Sequence, residues 1–286
     1  MRAGMSTFCG GEATHFVLTR FNVRNFYHWA EPTDEWLLAR LELFQRYCTP
    51  CFGAQSVQSF HWIVFLDSET PAWFQNRISD IAQGLFEPVY VDGAFTKELL
   101  TRTIAERCST RYAVTTRVDN DDAVSFDFVE CIQSYFDRQD LTFVNLVNGA
   151  QYSNGKLYLR PYTKNPFSSL IEDVSDRKPV TVFAEHHYRI DQYAPVLNVR
   201  TNHPMWLQVI HGGNVLNEIV GLRASGRRIA GFFPCSLDIH DSLLDLAVDG
   251  VVGSVRIAIR LMRRPRRFVE LSRTMRARKG FLGARR

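Results

Sequence analysis

The chain has 286 residues, 45% of them hydrophobic and 13% aromatic, enough to bury a full core as one large domain or a domain with an appendage, which excludes an intrinsically disordered protein. Six cysteines are too sparse for a disulfide scaffold of this size, no run of about 18 apolar residues offers a membrane span, and residues 1–7 lack the apolar block of a secretory signal, so the expected location is the cytosol. The net charge of +4 is unevenly spread: residues 255–286 hold twelve Lys and Arg against one acid, Glu270, a net of +11 that leaves −7 for residues 1–254, the pattern of an acidic body with a basic end suited to an anionic surface.

Residues 14–20 (Thr-His-Phe-Val-Leu-Thr-Arg) read as a buried first strand that breaks into a polar loop at Asn22. Thr33 can cap a helix over 33–47, on which Leu37, Leu41, Phe44 and Cys48 share a face. Cys48 and Cys51 form a CxxC pair at the negative end of that helix with no second pair to complete a zinc site, so they are expected to be ordinary thiols. An apolar run at 60–66 ends at Asp67, a helix follows over 71–83, and a third strand at 88–91 ends at Asp92. Thr96 starts a helix over 97–108, and a fourth strand at 112–118 terminates in Asp119-Asn120-Asp121-Asp122. Strands alternating with helices predict an α/β fold with a mostly parallel sheet, whose ligands bind beyond the carboxyl ends of the strands. Further on, strands at 141–148 and 155–160 flank a Ser153-Asn154-Gly155 turn, giving an antiparallel extension; another strand is expected at 179–184. The segment 205–221 is mixed, broken by Gly212-Gly213, with Asn214 able to cap a short helix. Residues 1–250 are read as one domain and 251–286 as a basic, helical, amphipathic tail.

Three aspartates within four positions at the end of a buried strand repel one another unless a cation or a cationic side chain answers them. A hard divalent ion takes carboxylate oxygens and shares its sphere with substrate phosphates, and such an ion offsets the charge that grows on a departing diphosphate. A solvated turn in which Asp122 or Ser125 caps the next helix is the plain alternative.

The run Arg117-Val-Asp-Asn-Asp-Asp-Ala-Val124, followed by an amphipathic helix around Phe128, Ile132 and Phe136, resembles the DxD motif and following helix of GT-A glycosyltransferases. Three further stretches, Asn165-Pro-Phe167, Thr181-Val-Phe183 and Met205-Trp-Leu-Gln-Val-Ile-His-Gly-Gly-Asn214, resemble a bacterial family described as rhamnosyltransferases, the likeness covering about residues 14–220. The resemblance implies a GT-A-like fold, a nucleotide-sugar donor, a glycan or glycolipid acceptor, and Mn²⁺ or Mg²⁺. By position it makes Asp121 the direct metal ligand and Asp119 a contact to ribose or metal, with Asp122 in support. His211 would return to the same metal. Thr19, Arg20 and Asn22 correspond to the start of the nucleotide pocket, Asp92 to a contact with base or ribose, and Arg117 could meet a carboxylate or the diphosphate.

An inverting transferase needs a base on the far side of the sugar. The candidates are Glu172 and Asp173, or Glu185, His186 and His187, the last two closing a predicted strand and pointing to opposite faces. From Val255 the tail mixes apolar and basic residues, so peripheral association with the anionic inner leaflet is expected, with nucleic acid not expected as a partner. The working expectation is transfer of a hexose or deoxyhexose, rhamnose among them. A metal-dependent nucleotidyl or phosphoryl transferase and a non-catalytic carbohydrate-binding protein are the alternatives; the chain has no GxxxxGK[ST] loop.

Overall fold

The computed structural model describes residues 7–24, 32–212, 218–263, 272 and 278–279. In chain order β1 (Ala13–Arg20) is followed by α1 (Asp34–Leu43), which runs on through a π-turned stretch, Phe44–Cys48, into α2 (Thr49–Gly53). Next come β2 (His61–Asp67), α3 (Ala72–Ala82), β3 (Glu87–Val91), α4 (Lys97–Ala105), β4 (Tyr112–Arg117), β5 (Ala123–Val124) and α5 (Phe128–Gln133). The second half holds β6 (Thr142–Leu146), β7 (Gly149–Ser153), β8 (Lys156–Leu159), β9 (Ser169–Asp173), α6 (Ile190–Tyr193), β10 (Val196–Arg200) and β11 (Trp206–Val209). After these lie β12 (Leu222–Ala224), α7 (Gly226–Ile229), α8 (Leu243–Arg263) and β13 (Arg278–Lys279).

The main sheet has the order β13-β10-β6-β9-β4-β1-β2-β3. Its strands are parallel except β9, which runs antiparallel to both β4 and β6. This is the mixed α/β layout, a mostly parallel sheet flanked by helices, that the resemblance implies. Burial on both faces explains why β2 from Trp62 to Leu66, and the Phe16-Val17-Leu18 centre of β1, read as continuous apolar runs rather than alternating ones. Val17, Trp62, Val64 and Leu66 pack with Leu37, Leu41 and Phe44 of the α1 helical run and with Phe74 and Ile78 of α3. Phe16, Leu18, Ile63 and Phe65 turn the other way, to Leu100 and Ile104 of α4. Each such side chain contributes about 1.5–3 kcal/mol by leaving water. Helix α1 starts where its cap predicts, Thr33 Oγ1 accepting from Trp36 N at 3.3 Å.

The second sheet, β12-β8-β7-β11-β5, is the extension. Its β7–β8 hairpin turns at Asn154 and Gly155, both with positive φ (48° and 76°), as a two-residue turn of this kind demands.

Several departures from expectation matter. Residues 179–184 form no strand: Thr181 has φ 66°, and the N–H groups of Val180 and Thr181 bond to the Glu172 carboxylate while that of Val182 bonds to Thr115 Oγ1, so no ladder forms. His186 and His187 consequently lie in a turn and not on opposite faces of a strand. The strand expected at 141–148 is β6 of the main sheet and not the hairpin partner of 155–160; that partner is β7, which, like β5, β9, β10, β12 and β13, was not anticipated, β5 being two residues long with too little pattern to read. The boundary expected at residue 250 falls inside α8, which already begins at Leu243. The tail, expected to be helical throughout, is helical to Arg263, but Arg278–Lys279 form β13 on the edge of the main sheet beside β10; Asn214 lies outside the described residues, as does most of the segment beyond 263.

Candidate active site

The strand order places the site. The chain builds β1, β2 and β3 outward on one side, then returns to lay β4 on the other side of β1, so the crevice between the carboxyl ends of β1 and β4 is the topological switch point where open α/β sheets bind ligands. Arg20 ends β1, Arg117 ends β4, and the aspartate turn follows directly.

The aspartates are answered by three arginines. Asp119 pairs with Arg117 (Nη2 to Oδ2, 2.7 Å) and with Arg20 (Nη2 to Oδ1, 3.4 Å). Burial works to raise its pKa, but the two guanidiniums outweigh it and hold the carboxyl well below the usual range. Asp121 Oδ2 accepts from Arg40 Nη1 at 2.5 Å, and Arg40 also reaches Asn120 Oδ1 at 3.4 Å. Asp122 is buried; desolvation and then the charges of Asp121 and Asp119 push its pKa well up, against a bond from Val209 N at 2.9 Å. Cys48, whose Sγ lies 3.9 Å from the Asp119 carbonyl, is raised by burial and by the same three carboxylates, so it remains a thiol.

His211 reaches the cluster because β11 runs antiparallel to β5, with Trp206 opposite Val124 and Leu207 opposite Ala123. Continuing that register brings residues 209–211 back alongside the 119–121 turn, where His211 Nε2 stands 2.9 Å from Asp121 Oδ2.

A second wall comes from the segment after β9. The buried Glu172 carboxylate holds the strained Thr181 backbone, and the Phe183 ring then covers the guanidiniums of Arg20 and Arg117 at 4.9 and 5.8 Å. His187 Nδ1 lies 2.7 Å from the Lys164 carbonyl, a contact that requires the proton on Nδ1 and leaves Nε2 as an acceptor. Burial, then the charge of Arg117, lowers its pKa to about 4. Glu185 accepts from His186 N and Arg189, tied to its own turn.

Several expected contacts are elsewhere. Asp173 pairs with Arg111 and lies opposite Tyr112, at the start of β4; seven residues of extended chain, roughly 23 Å, separate that level from Asp119, so it cannot act as a base there. Glu172 is engaged in holding Thr181 and is no base either. Thr19 is fully buried and accepts from Trp62 Nε1 at 2.9 Å, facing the core and not a pocket. Asn22 ties its loop to the end of β2 through Thr70 Oγ1 and Asp67 N. Asp92 is exposed just beyond the edge strand β3, two strands from β1. Arg40 and Phe183 were missed as site residues, although the sequence signals Arg40: it sits among Leu37, Leu41 and Phe44 on the apolar face of α1, where an unpaired charge would not be tolerated.

The low histidine pKa values have a consequence for stability. His15, bonded to Thr116 Oγ1 at 2.7 Å, is lowered to about 3 by burial and then by His61. A histidine kept neutral in the fold but titrating near 6.5 when unfolded stabilises fully above that pH, and its contribution falls as the unfolded chain takes up the proton. For His187 the loss runs from about 6.5 down to about 4. His187→Gln should therefore show a shallower fall in Tm than wild type over this range, measured by thermal denaturation at stepped pH. Parallel curves would remove His187 from the account.

Among solved structures, S. aureus TarS 1-349 in complex with UDP is similar at a TM-score of 0.39 and 10% identity, over 69% of this chain and 60% of that one. The inositol-1-phosphate CTP transferase from T. maritima is similar at a TM-score of 0.27 and 9% identity, over 68% of this chain and 84% of that one. The chain thus spans about 60% of the TarS fragment. No curated protein matches. The family described as "Putative rhamnosyl transferase" matches over residues 28–223, which contain β2 through β11, the aspartate turn and His211; the chain belongs to this family.

Proposed function

We propose that the protein is a glycosyltransferase that moves a hexose or deoxyhexose, rhamnose being the sugar its family is named for, from a nucleotide donor to a glycan or glycolipid hydroxyl. The observation that carries this reading is the convergence of Arg20, Arg117, Asp119, Asp121 and His211 at the β1/β4 switch point. Two guanidiniums beneath the Phe183 ring are suited to a diphosphate, since planar forks match phosphate oxygens. As the donor's oxygens take up their charge, the pull of Arg117 on His187 weakens and the imidazole becomes a better base.

Asp121 and His211 would hold a divalent cation. Their side chains meet, Asp121 Oδ2 and His211 Nε2 being 2.9 Å apart; among the described residues no group of three His, Cys, Asp or Glu is gathered to hold an ion, so oxygens of the donor's diphosphate would complete the set. Bound there, Mn²⁺ or Mg²⁺ would offset the charge growing on the departing diphosphate. Arg40 shares the same Asp121 oxygen and supplies its counter-charge. For an inverting transfer, His187 Nε2 would accept the proton of the acceptor hydroxyl while the Lys164 carbonyl keeps the ring in the required tautomer. The basic segment 255–286 would hold the enzyme on the anionic inner leaflet.

The test is turnover of UDP-, GDP-, CMP- and dTDP-linked sugars with and without Mn²⁺, for wild type and His187→Gln. One nucleotide class should be consumed, and the variant should lose about 10²-fold or more in kcat with acceptor, KM for the donor changing little. No turnover with any donor would refute the transferase reading; an unchanged kcat would remove His187 as base and leave the rest standing.

A further inference from the structure

A helix on the surface of a globular protein turns its apolar stripe to the body and its polar face to water, and α8 departs from this by leaving a long apolar stripe in water. It docks on the second sheet by a narrow line of half-buried residues, Leu246, Asp249, Gly250 and Gly253: Asp249 Oδ2 accepts from Lys156 Nζ at 2.8 Å and pairs with Arg223 at 3.5 Å, while Gly253 approaches Leu222 of β12. On the outer side, Leu244, Val248, Val251, Val255, Ile259 and Met262 recur at intervals of three and four, forming one stripe along nearly the whole of the 21-residue helix, which is about 31 Å long. All six are exposed, Leu244 at 74%, Val251 at 67% and Met262 at 71%.

We infer that α8 is an in-plane membrane helix whose outward stripe enters the interface of an anionic leaflet, holding the body above the bilayer. The inference deepens, and rests on, the proposed association with a membrane surface, and it moves the contact upstream from the basic segment to a structured element. Charge complementarity selects the occupant. The stripe runs directly into residues 255–286, with twelve Lys and Arg and one acid, and apolar area combined with basic charge is what binds a helix at the level of acidic headgroups. The helix lies on the surface and does not cross it: among the described residues no helix is long and apolar enough to span a membrane. The sheet that carries α8 also carries β11, which leads to His211. The helix thereby fixes the orientation of the candidate site relative to the leaflet, which suits a lipid-borne acceptor.

The experiment is cosedimentation of the full chain with phosphatidylglycerol/phosphatidylcholine vesicles and with pure phosphatidylcholine vesicles. It compares wild type, Val251→Asp/Val255→Asp and Arg266→Gln/Arg267→Gln, with donor hydrolysis in solution as a check that each variant folds. Wild type should bind the anionic vesicles, and the valine variant should bind at least about tenfold more weakly at undiminished hydrolysis. If the valine variant binds like wild type while the arginine variant does not, the basic segment is the anchor and the inference about α8 is overturned alone. If wild type binds neither vesicle, both readings fall. If wild type sediments as a dimer that the valine variant dissociates, the stripe is a self-association face and the inference is likewise overturned.

Discussion

Asp121→Asn is expected to lower donor turnover by about 10³-fold, the scale of losing a group that stabilises transition-state charge in a partly closed site. Asp121 stands at the meeting point of the site, its Oδ2 shared between Arg40 at 2.5 Å and His211 at 2.9 Å. The amide keeps the shape but carries no charge, so it cannot balance Arg40, nor supply the anionic ligand that the proposed cation would need beside His211. The same substitution leaves Arg40, only 7% exposed, as an uncompensated buried charge, and breaking such a pair costs about 3–5 kcal/mol when one partner is lost outright. Activity could therefore fall through unfolding alone. Arg40→Met in the Asp121→Asn background separates the two causes, because it removes the stranded charge. The double variant should regain thermal stability and remain inactive, with donor binding by calorimetry no longer responsive to Mn²⁺. Wild-type turnover in Asp121→Asn would sink the assignment, as would a double variant that recovers activity along with its fold.

Trp206→Ala should produce the largest loss of stability of any single truncation considered, about 3–5 kcal/mol, or roughly 10 °C in Tm for a domain of this size. Trp206 is 1% exposed, stacks on Phe167 at 5.0 Å between ring centroids, and donates from Nε1 to the Leu146 carbonyl at 2.8 Å. Its ring lies across Gly149 of β7, where a Cβ would come within 2.0 Å of the indole. The glycine is required by close approach of that ring and not by its backbone angle. Removing the indole opens a cavity where the two sheets meet and loosens β11, the strand that leads to His211. A comparison with Leu38→Ala, at a residue 45% exposed, should show almost no shift. A change below about 1 kcal/mol for Trp206→Ala would mean that the second sheet is not held by this packing.

What could be read from the chain, and what could not, divides along the range of the interactions. The alternation of strands and helices through residue 118 follows from apolar period and caps, which are local. Thr33 and Thr96 cap the helices they were expected to cap, each accepting from the backbone N–H three residues on. The aspartate turn was legible for the same reason, as a dense charge at the end of an apolar strand. Arg40 left a local trace too, a charge among leucines.

The remainder depends on pairing between distant segments. That His211 meets Asp121 follows from the antiparallel register of β11 on a two-residue strand, 90 positions away along the chain. Resemblance suggested the meeting, but no periodicity could have shown it. Asp173 and His187 looked equivalent as acids or bases in a list of candidates. The reversed direction of β9 sends Asp173 to the far end of the sheet, while the Glu172 latch on Thr181 leads the chain back to place Phe183 over the arginines. The sequence by itself thus determined the fold class, the acidic cluster and the basic end, because periodicity, capping and charge act between neighbours. Only the tertiary structure decided which candidates share the site and which way α8 faces, because those follow from strand order and docking, to which residues far apart in the chain contribute together.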